Sequence, residues 1–264
     1  MQKRSLHRDK PGWWRSALPN GQWYAPRQAS GLRFRYNTPM CGRFTLRTPA
    51  SLIVEQFHLR GELQLPLRFN IAPSQPIAVV RQTAAGGPRE LAMLRWGLIP
   101  FWAKEAAIGN RMINARGETL AEKPSFRAAY KKRRCLILAD GYYEWQKRGS
   151  KKQPYYFHRQ DDGPLAFAGL WERWEKGPEP VESCTIITTD ANDLSRPIHD
   201  RMPVILSPQQ YDLWLDPELE DAAPLQPLLQ PYLPDDMLAR PVSTHVNRPT
   251  NDDPRCIEAQ RELF

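Results

Sequence analysis

Cys135-Leu136-Ile137-Leu138-Ala139-Asp140-Gly141-Tyr142-Tyr143-Glu144-Trp145 opens with five apolar residues, breaks at Asp-Gly, and continues as aromatics around one carboxylate. Such a short run is below helix length, and with a turn dipeptide behind it it reads as a buried strand. Similar runs lie on both sides. Gly42 to Leu46, Ile77 to Val80 with Leu91 to Leu98 as its partner, Tyr155 to His158, Leu165 to Leu170, Thr185 to Thr188 and Pro203 to Leu206 all read as strands. Arg68 to Pro73 reads as a loop entry to Ile77. Helices are sparser. Thr48-Pro49 starts one in the N-cap/N1 arrangement, with Leu52, Ile53, Gln56 and Phe57 as its apolar face and Gly61 as its end. Ser125 caps a short helix to Lys132, Ser207-Pro208 opens one through Tyr211 and Trp214, and a Leu/Pro-rich helical piece lies between Pro224 and Leu233. Short strands with long excursions and no βαβ repeat predict a mainly antiparallel, barrel-like sheet with helices around it.

At 264 residues the chain fits one large domain, and nothing in it reads as a linker between two cores. No apolar run nears the ~18 residues of a membrane helix, and no basic segment leads into an apolar leader, so a cytoplasmic protein is expected. Cys41, Cys135, Cys184 and Cys256 are scattered without a C-x-x-C pair, and the five histidines stand apart in sequence, so neither a zinc site nor a disulfide framework is indicated. The net charge of +8 suggests a polyanion partner until it is located. Residues 1–39 hold eight Lys/Arg against one acid, leaving 29 basic and 28 acidic residues from Met40 onward. A nucleic-acid argument therefore needs a local patch, not the overall charge. Residues 1–39 have no helical or strand periodicity and carry the breakers Pro11-Gly12, Asn20-Gly21 and Thr38-Pro39. They read either as a disordered basic tail or as an upstream stretch absent from the working protein. The domain proper is 40–264.

Five clusters carry chemistry. In Met40-Cys41-Gly42-Arg43-Phe44, Cys41 is either an ordinary buried cysteine or, if Met40 is the start and is trimmed, an N-terminal residue with a thiol and an α-amine on one skeleton. The amine (pKa near ~8) and the thiol (near ~8.5) can then condense with an aldehyde into a thiazolidine, which an internal cysteine cannot do. Asn114-Ala115-Arg116-Gly117-Glu118 offers an amide, a guanidinium and a carboxylate, either as plain surface polarity or as a phosphate and base grip. Glu144, among aromatics, is either an edge-strand carboxylate facing water or a desolvated general acid and base. His199, between Ile198 and Asp200-Arg201, is either structural or a proton shuttle. Trp96-Gly97-Leu98-Ile99-Pro100-Phe101-Trp102 presents aromatics that either plug the core or stack on unpaired bases.

In order along the chain, Cys41-Gly42-Arg43-Phe44, Asn70-Ile71-Ala72-Pro73, Trp96-Gly97-Leu98-Ile99-Pro100 with Trp102, Ile113-Asn114-Ala115-Arg116 with Glu118, Asp140-Gly141-Tyr142-Tyr143-Glu144-Trp145 and His199-Asp200-Arg201-Met202-Pro203 resemble the SOS-response-associated peptidase family, the abasic-site processing proteins, from Met40 to about Asn251. The resemblance implies a single α+β domain with a twisted, barrel-like, mainly antiparallel β core and peripheral helices. It implies covalent capture of abasic sites in single-stranded DNA as a thiazolidine, with Cys41 as nucleophile, Asn114 orienting its amine, Glu144 as acid and base, and His199 assisting ring-opening. It places Arg43 and Arg116 on DNA phosphates, Trp102 where bases part, and Asn70 in the same DNA-binding set. No cofactor or metal is implied, and no membrane. Single-stranded DNA with abasic sites is the expected partner, in the cytoplasm and on the nucleoid, and nothing points beyond a monomer.

One departure matters. Here Cys41 follows forty residues, and an amide from Met40 would forbid the imine, so either translation starts at Met40 or the leader is cut off, with autopeptidase action as one route. Two rivals follow from the same residues. A cysteine peptidase would use Cys41, His199 and Glu144 on an acyl carbonyl without needing a free amine. A noncatalytic single-strand binder would use Arg43, Arg116 and Trp102 and tolerate loss of Cys41.

Overall fold

The computed structural model describes residues 41–260, so the expectations for residues 1–39 and for Met40 lie outside the described residues. In chain order the strands are β1 (Phe44–Leu46), β2 (Arg68–Ile71), β3 (Pro76–Arg81), β4 (Glu90–Trp96), β5 (Asn114–Arg116), β6 (Arg134–Ala139), β7 (Gly141–Arg148), β8 (Lys151–Arg159), β9 (Leu165–Trp174), β10 (Val181–Asp190), β11 (Arg201–Pro203), β12 (Ile205–Leu206) and β13 (Met237–Pro241). The α-helices are short: α1 (Ala50–Phe57), α2 (Arg127–Lys132) and α3 (Tyr211–Leu215).

The expected barrel is present. β3 pairs with β4 and β6, β6 with β9, β9 with β10, and β10 returns to β4 in the ring's one parallel step. All six residues of β6 are buried because one face lies inside the ring and the other under α2, α3 and β1, which is why its sequence is a continuous apolar run and not an alternation. Its one charge, Arg134, donates to the carbonyls of Tyr130, Lys131, Trp214 and Asp216, so it holds the ends of α2 and α3 on the barrel.

A second sheet, in the order β13-β8-β7-β1-β2, packs on this ring. The Phe44 ring of β1 meets Trp96 at 5.2 Å and Phe167 at 6.0 Å, both edge-on, and Tyr142 of β7 reaches Phe167 at 6.0 Å. These side chains are at most 1% exposed, so each stabilises the junction by roughly 1.5–3 kcal/mol. Gly141 starts β7 where a Cβ would overlap the Tyr156 hydroxyl, so only glycine lets the chain turn from barrel to sheet at this point.

Local readings differ from the structure at four places. Arg68–Ile71 is strand, not loop: it pairs with β1 through Phe44↔Ile71 and Leu46↔Arg68, while the Asp252 carboxylate accepts the N–H groups of Phe69 and Asn70. α1 begins after Pro49, not at it, because the Thr48 hydroxyl donates to Asp140 instead of capping; it ends at His58 in the left-handed region (φ 52), before Gly61. α2 starts at Arg127, so Ser125 is not its cap. The segment after Asp140 is not a trailing end of β6 but an eight-residue strand held between β8 and β1.

Candidate active site

β7 carries Glu144 into the interior beside the start of β1. The pairing Phe44↔Tyr142, prolonged by the Tyr143 N–H donating to the Arg43 carbonyl at 3.0 Å, brings Cys41 alongside Glu144. Cys41 donates its main-chain N–H to Glu144 Oε1 at 2.7 Å, across 103 residues of sequence. Cys41 is 3% exposed and Glu144 2%. The alternative of a water-facing edge carboxylate is therefore excluded for Glu144. Burial pushes the Glu144 carboxyl above the usual carboxylate range, while His199 and the hydrogen bonds from Cys41 pull the other way. Burial, followed by the Glu144 charge, pushes the Cys41 thiol well above its ordinary value, and only Arg201 opposes. Burial therefore favours the S–H form of Cys41, beside the Glu144 carboxyl.

His199 enters from the loop before β11. The Ser195 carbonyl accepts the N–H groups of Ile198 and His199, both at 2.9 Å, forming a tight turn that fixes the imidazole. His199 Nδ1 accepts the Arg201 N–H at 3.1 Å, which puts the proton of the neutral ring on Nε2. Asp200 Oδ1 lies 3.1 Å from the same Nδ1. Gln146, two residues beyond Glu144, donates to the Pro197 carbonyl at 3.1 Å and ties β7 to this loop. Arg201 itself is 8% exposed. It grips Glu118 with two hydrogen bonds, Asp190 with a third and the Thr188 carbonyl with a fourth. The segment containing Asn114 and Arg116 and the segment containing His199 are thus joined through one guanidinium.

The remaining expected residues divide into inner and outer groups. Asn114 is half-buried at the head of β5, in parallel register with Ile186, and Arg116 is exposed opposite Thr188. Trp102 is 40% exposed and Phe101 49%, beside a cleft of about 570 Å³ lined by Lys104, Ile108 and Arg111. Their loop is rigid: Ile99 N–H donates to Ser183 Oγ, Trp174 Nε1 to the Ala103 carbonyl and Lys176 Nζ to the Trp102 carbonyl. Arg43 is half-buried and donates to Asn70 Oδ1 and the Val246 carbonyl, with Trp145 under its guanidinium at 5.9 Å. Asn70 is fully buried, its amide nitrogen held by the carbonyls of Val246, Arg248 and Asn251. It faces inward and supports Arg43 and the 246–251 segment instead of presenting an amide outward.

Residues 40–249 match the family model described as SOS response associated peptidase (SRAP). The chain belongs to the SRAP family. It is 48% identical over 226 residues to the abasic site processing protein YoqW of Bacillus subtilis, covering 83% of this chain and 100% of that one. It is 44% identical over 231 residues to YoaM of the same organism, likewise named an abasic site processing protein, covering 85% and 100%. HMCES of Gallus gallus, with the same descriptive name, is 37% identical over 203 residues, covering 67% of this chain and 60% of that one. A crystal structure of a Bacteroides thetaiotaomicron protein superposes with a TM-score of 0.75 at 28% identity, covering 83% of this chain and 100% of that one.

Two features of this SRAP chain escaped the sequence. His245, Asp253 and Cys256 converge until their potential ligand atoms lie within 4.8 Å of one another, although the histidines are isolated in sequence. Their atoms are already engaged: His245 Nε2 with Asp253 at 3.1 Å, His245 Nδ1 with Asn251 at 3.1 Å, and Asp253 with Arg255. Asp140 is the other. It accepts hydrogen bonds from the Thr45 hydroxyl, the Arg47 N–H, and both the N–H and hydroxyl of Thr48, and it thereby locks the far end of β1.

Proposed function

We propose that this chain captures abasic sites in single-stranded DNA as a thiazolidine through Cys41, once Cys41 is the N-terminal residue, and so shields the strand during the DNA damage (SOS) response. The observation that carries this reading is the Cys41 nitrogen 2.7 Å from the buried Glu144 carboxylate. In the chain with Met40 attached that nitrogen is a peptide nitrogen and inert. As a free α-amine in the same place it would stand beside a group able to take and return protons near neutral pH. The family match beginning at Met40 agrees with a domain whose working end is Cys41.

The chemistry then runs in order. The closed sugar opens to its aldehyde with proton transfers from His199 Nε2–H and Glu144. The amine adds to C1′, and the carbinolamine loses water to give the imine. The thiol adds across the C=N bond, carbon taking the sulfur and nitrogen the proton, with Glu144 accepting the S–H proton on the way. The overall change is loss of one water. An imine also acidifies C2′, so strand cleavage by β-elimination competes until the ring closes, which gives a weak lyase side activity. Asn114 orients the amine. Arg43, held in place by Asn70, and Arg116 take phosphates, and Trp102 parts the bases. No cofactor has a step in this sequence, and the protein acts as a monomer in the cytoplasm, on the nucleoid when bound.

The family description names a peptidase, and removal of residues 1–40 by the chain itself would fit that word. As a general cysteine peptidase the site is poorly suited, because such enzymes need a depressed thiol pKa and burial pushes this one up. The test is intact mass spectrometry of the purified chain before and after mixing with a single-stranded oligonucleotide bearing one abasic site. A chain starting at Cys41 gains the oligonucleotide mass less one water, and Cys41→Ala gains nothing. A chain that starts at Cys41 and gains no mass overturns thiazolidine capture.

A further inference from the structure

Beyond Glu144, β7 and β8 run outward to a two-residue turn, Gly149-Ser150, with Gly149 at φ 60 as a type II′ hairpin turn requires. The four residues flanking the turn are Lys147, Arg148, Lys151 and Lys152, all exposed. Their register sets like charges directly opposite one another, Lys147↔Lys152 and Arg148↔Lys151. Opposed like charges destabilise a hairpin, so folding alone does not ask for this arrangement. Among the described residues no carboxylate pairs with Arg148, Lys151 or Lys152.

The strand period decides which pair faces the reaction. Glu144, Gln146 and Arg148 lie on one face of β7, opposite Tyr155, Gln153 and Lys151 of β8. The Arg148 guanidinium lies along that face, Nε donating to Gln146 at 2.7 Å and Nη2 to the Tyr155 hydroxyl at 2.8 Å, while Gln146 reaches the His199 loop at Pro197. A polar row therefore leads from the proposed capture site to a fixed cation and a second cation beside it. Four residues of strand span about 13 Å, or some four phosphates along a B-like strand.

We propose that Arg148 and Lys151 form a phosphate site for single-stranded DNA that continues past the captured nucleotide, with Lys147 and Lys152 on the opposite face taking no direct part. This rests on the reading above that the chain acts on single-stranded DNA, and it adds a footprint outside the reacting pocket. Two side-chain cations that neutralise two phosphates release the counterions condensed there and contribute about 1.4 to the magnitude of the slope of log affinity against log salt for a single strand.

The test is fluorescence anisotropy of the full chain on a labelled single-stranded oligonucleotide carrying a reduced abasic analogue, which has no aldehyde and cannot be captured. The slope is measured for wild type, R148Q/K151Q and K147Q/K152Q. The expected result is a slope shallower by about 1.4 for R148Q/K151Q, nearly unchanged for K147Q/K152Q, and restored by Arg148→Lys with Lys151 intact. Equal losses from both pairs mean diffuse attraction, and no loss from either means no contact; both overturn the site. A wild-type chain that does not bind the strand at all removes the DNA reading itself. Melting curves check that each variant is folded.

Discussion

Asp140 and Glu144 are two carboxylates four positions apart, 1% and 2% exposed, on either side of the same strand start. Their surroundings differ. Asp140 collects hydrogen bonds from Thr45, Arg47 and Thr48 and has the Arg47 guanidinium nearby at 3.6 Å, so its charge is answered by donors built into the fold. Glu144 accepts the Cys41 N–H, has no cation within ion-pair distance among the described residues, and burial leaves its carboxyl raised. Equal burial goes with a clamp in one case and a raised carboxyl in the other, and donor supply makes the difference.

Three measurements on two substitutions test that contrast. The largest effect is expected for Glu144→Gln in a chain starting at Cys41: capture of an abasic oligonucleotide, followed as a gel-shifted covalent band, should slow by about 10²–10⁴ with the fold intact. Capture at the wild-type rate would strip Glu144 of its role. Next, Asp140→Ala leaves several buried donors and a guanidinium unanswered and should cost about 3–5 kcal/mol in denaturant unfolding, without a matching change in the capture chemistry of the folded fraction. A loss near zero would show that Asp140 is no clamp.

The smallest effect is in the pH dependence of stability. A carboxyl whose folded pKa is raised favours folding fully only below the ordinary value of 4.5, and that contribution is lost as pH rises through the raised folded value. Glu144→Gln removes the cost of the buried charge. The variant should therefore gain on wild type as pH rises above about 4.5 and match it at lower pH. Thermal melts across that range decide it; parallel curves would mean that Glu144 carries no buried-charge cost.

Strands were legible where burial on both sides writes itself into the sequence. β6, with every residue inside, was plain, and so were the middles of β3, β9 and β10. β2 was missed because its pairing depends on Asp252, 182 residues from Asn70, and no local pattern carries that contact. β7 was cut short because Asp140-Gly141 read as a turn and Glu144 was open between surface and interior, whereas the tertiary fold gives the glycine a tyrosine to pass and the glutamate a cysteine to meet. The pairing of Cys41 with Glu144 came from family resemblance, not from spacing or periodicity. Asn70 entered through the same resemblance, as a DNA contact; what no local pattern carried is that its amide nitrogen is engaged by three backbone carbonyls and its oxygen by Arg43.

The place of β1 in its sheet has a mechanical side. It lies between β7 and β2, with Arg47 and Thr48 tied to Asp140 behind it. A DNA strand attached at Cys41 would pull on the end of an interior strand. That load runs lengthwise against hydrogen bonds on both flanks at once, a shearing geometry in which bonds must fail together and not one after another. A motor advancing along the template would meet a folded obstacle whose bypass is governed by forced unfolding of the sheet, the covalent bond to Cys41 staying in place.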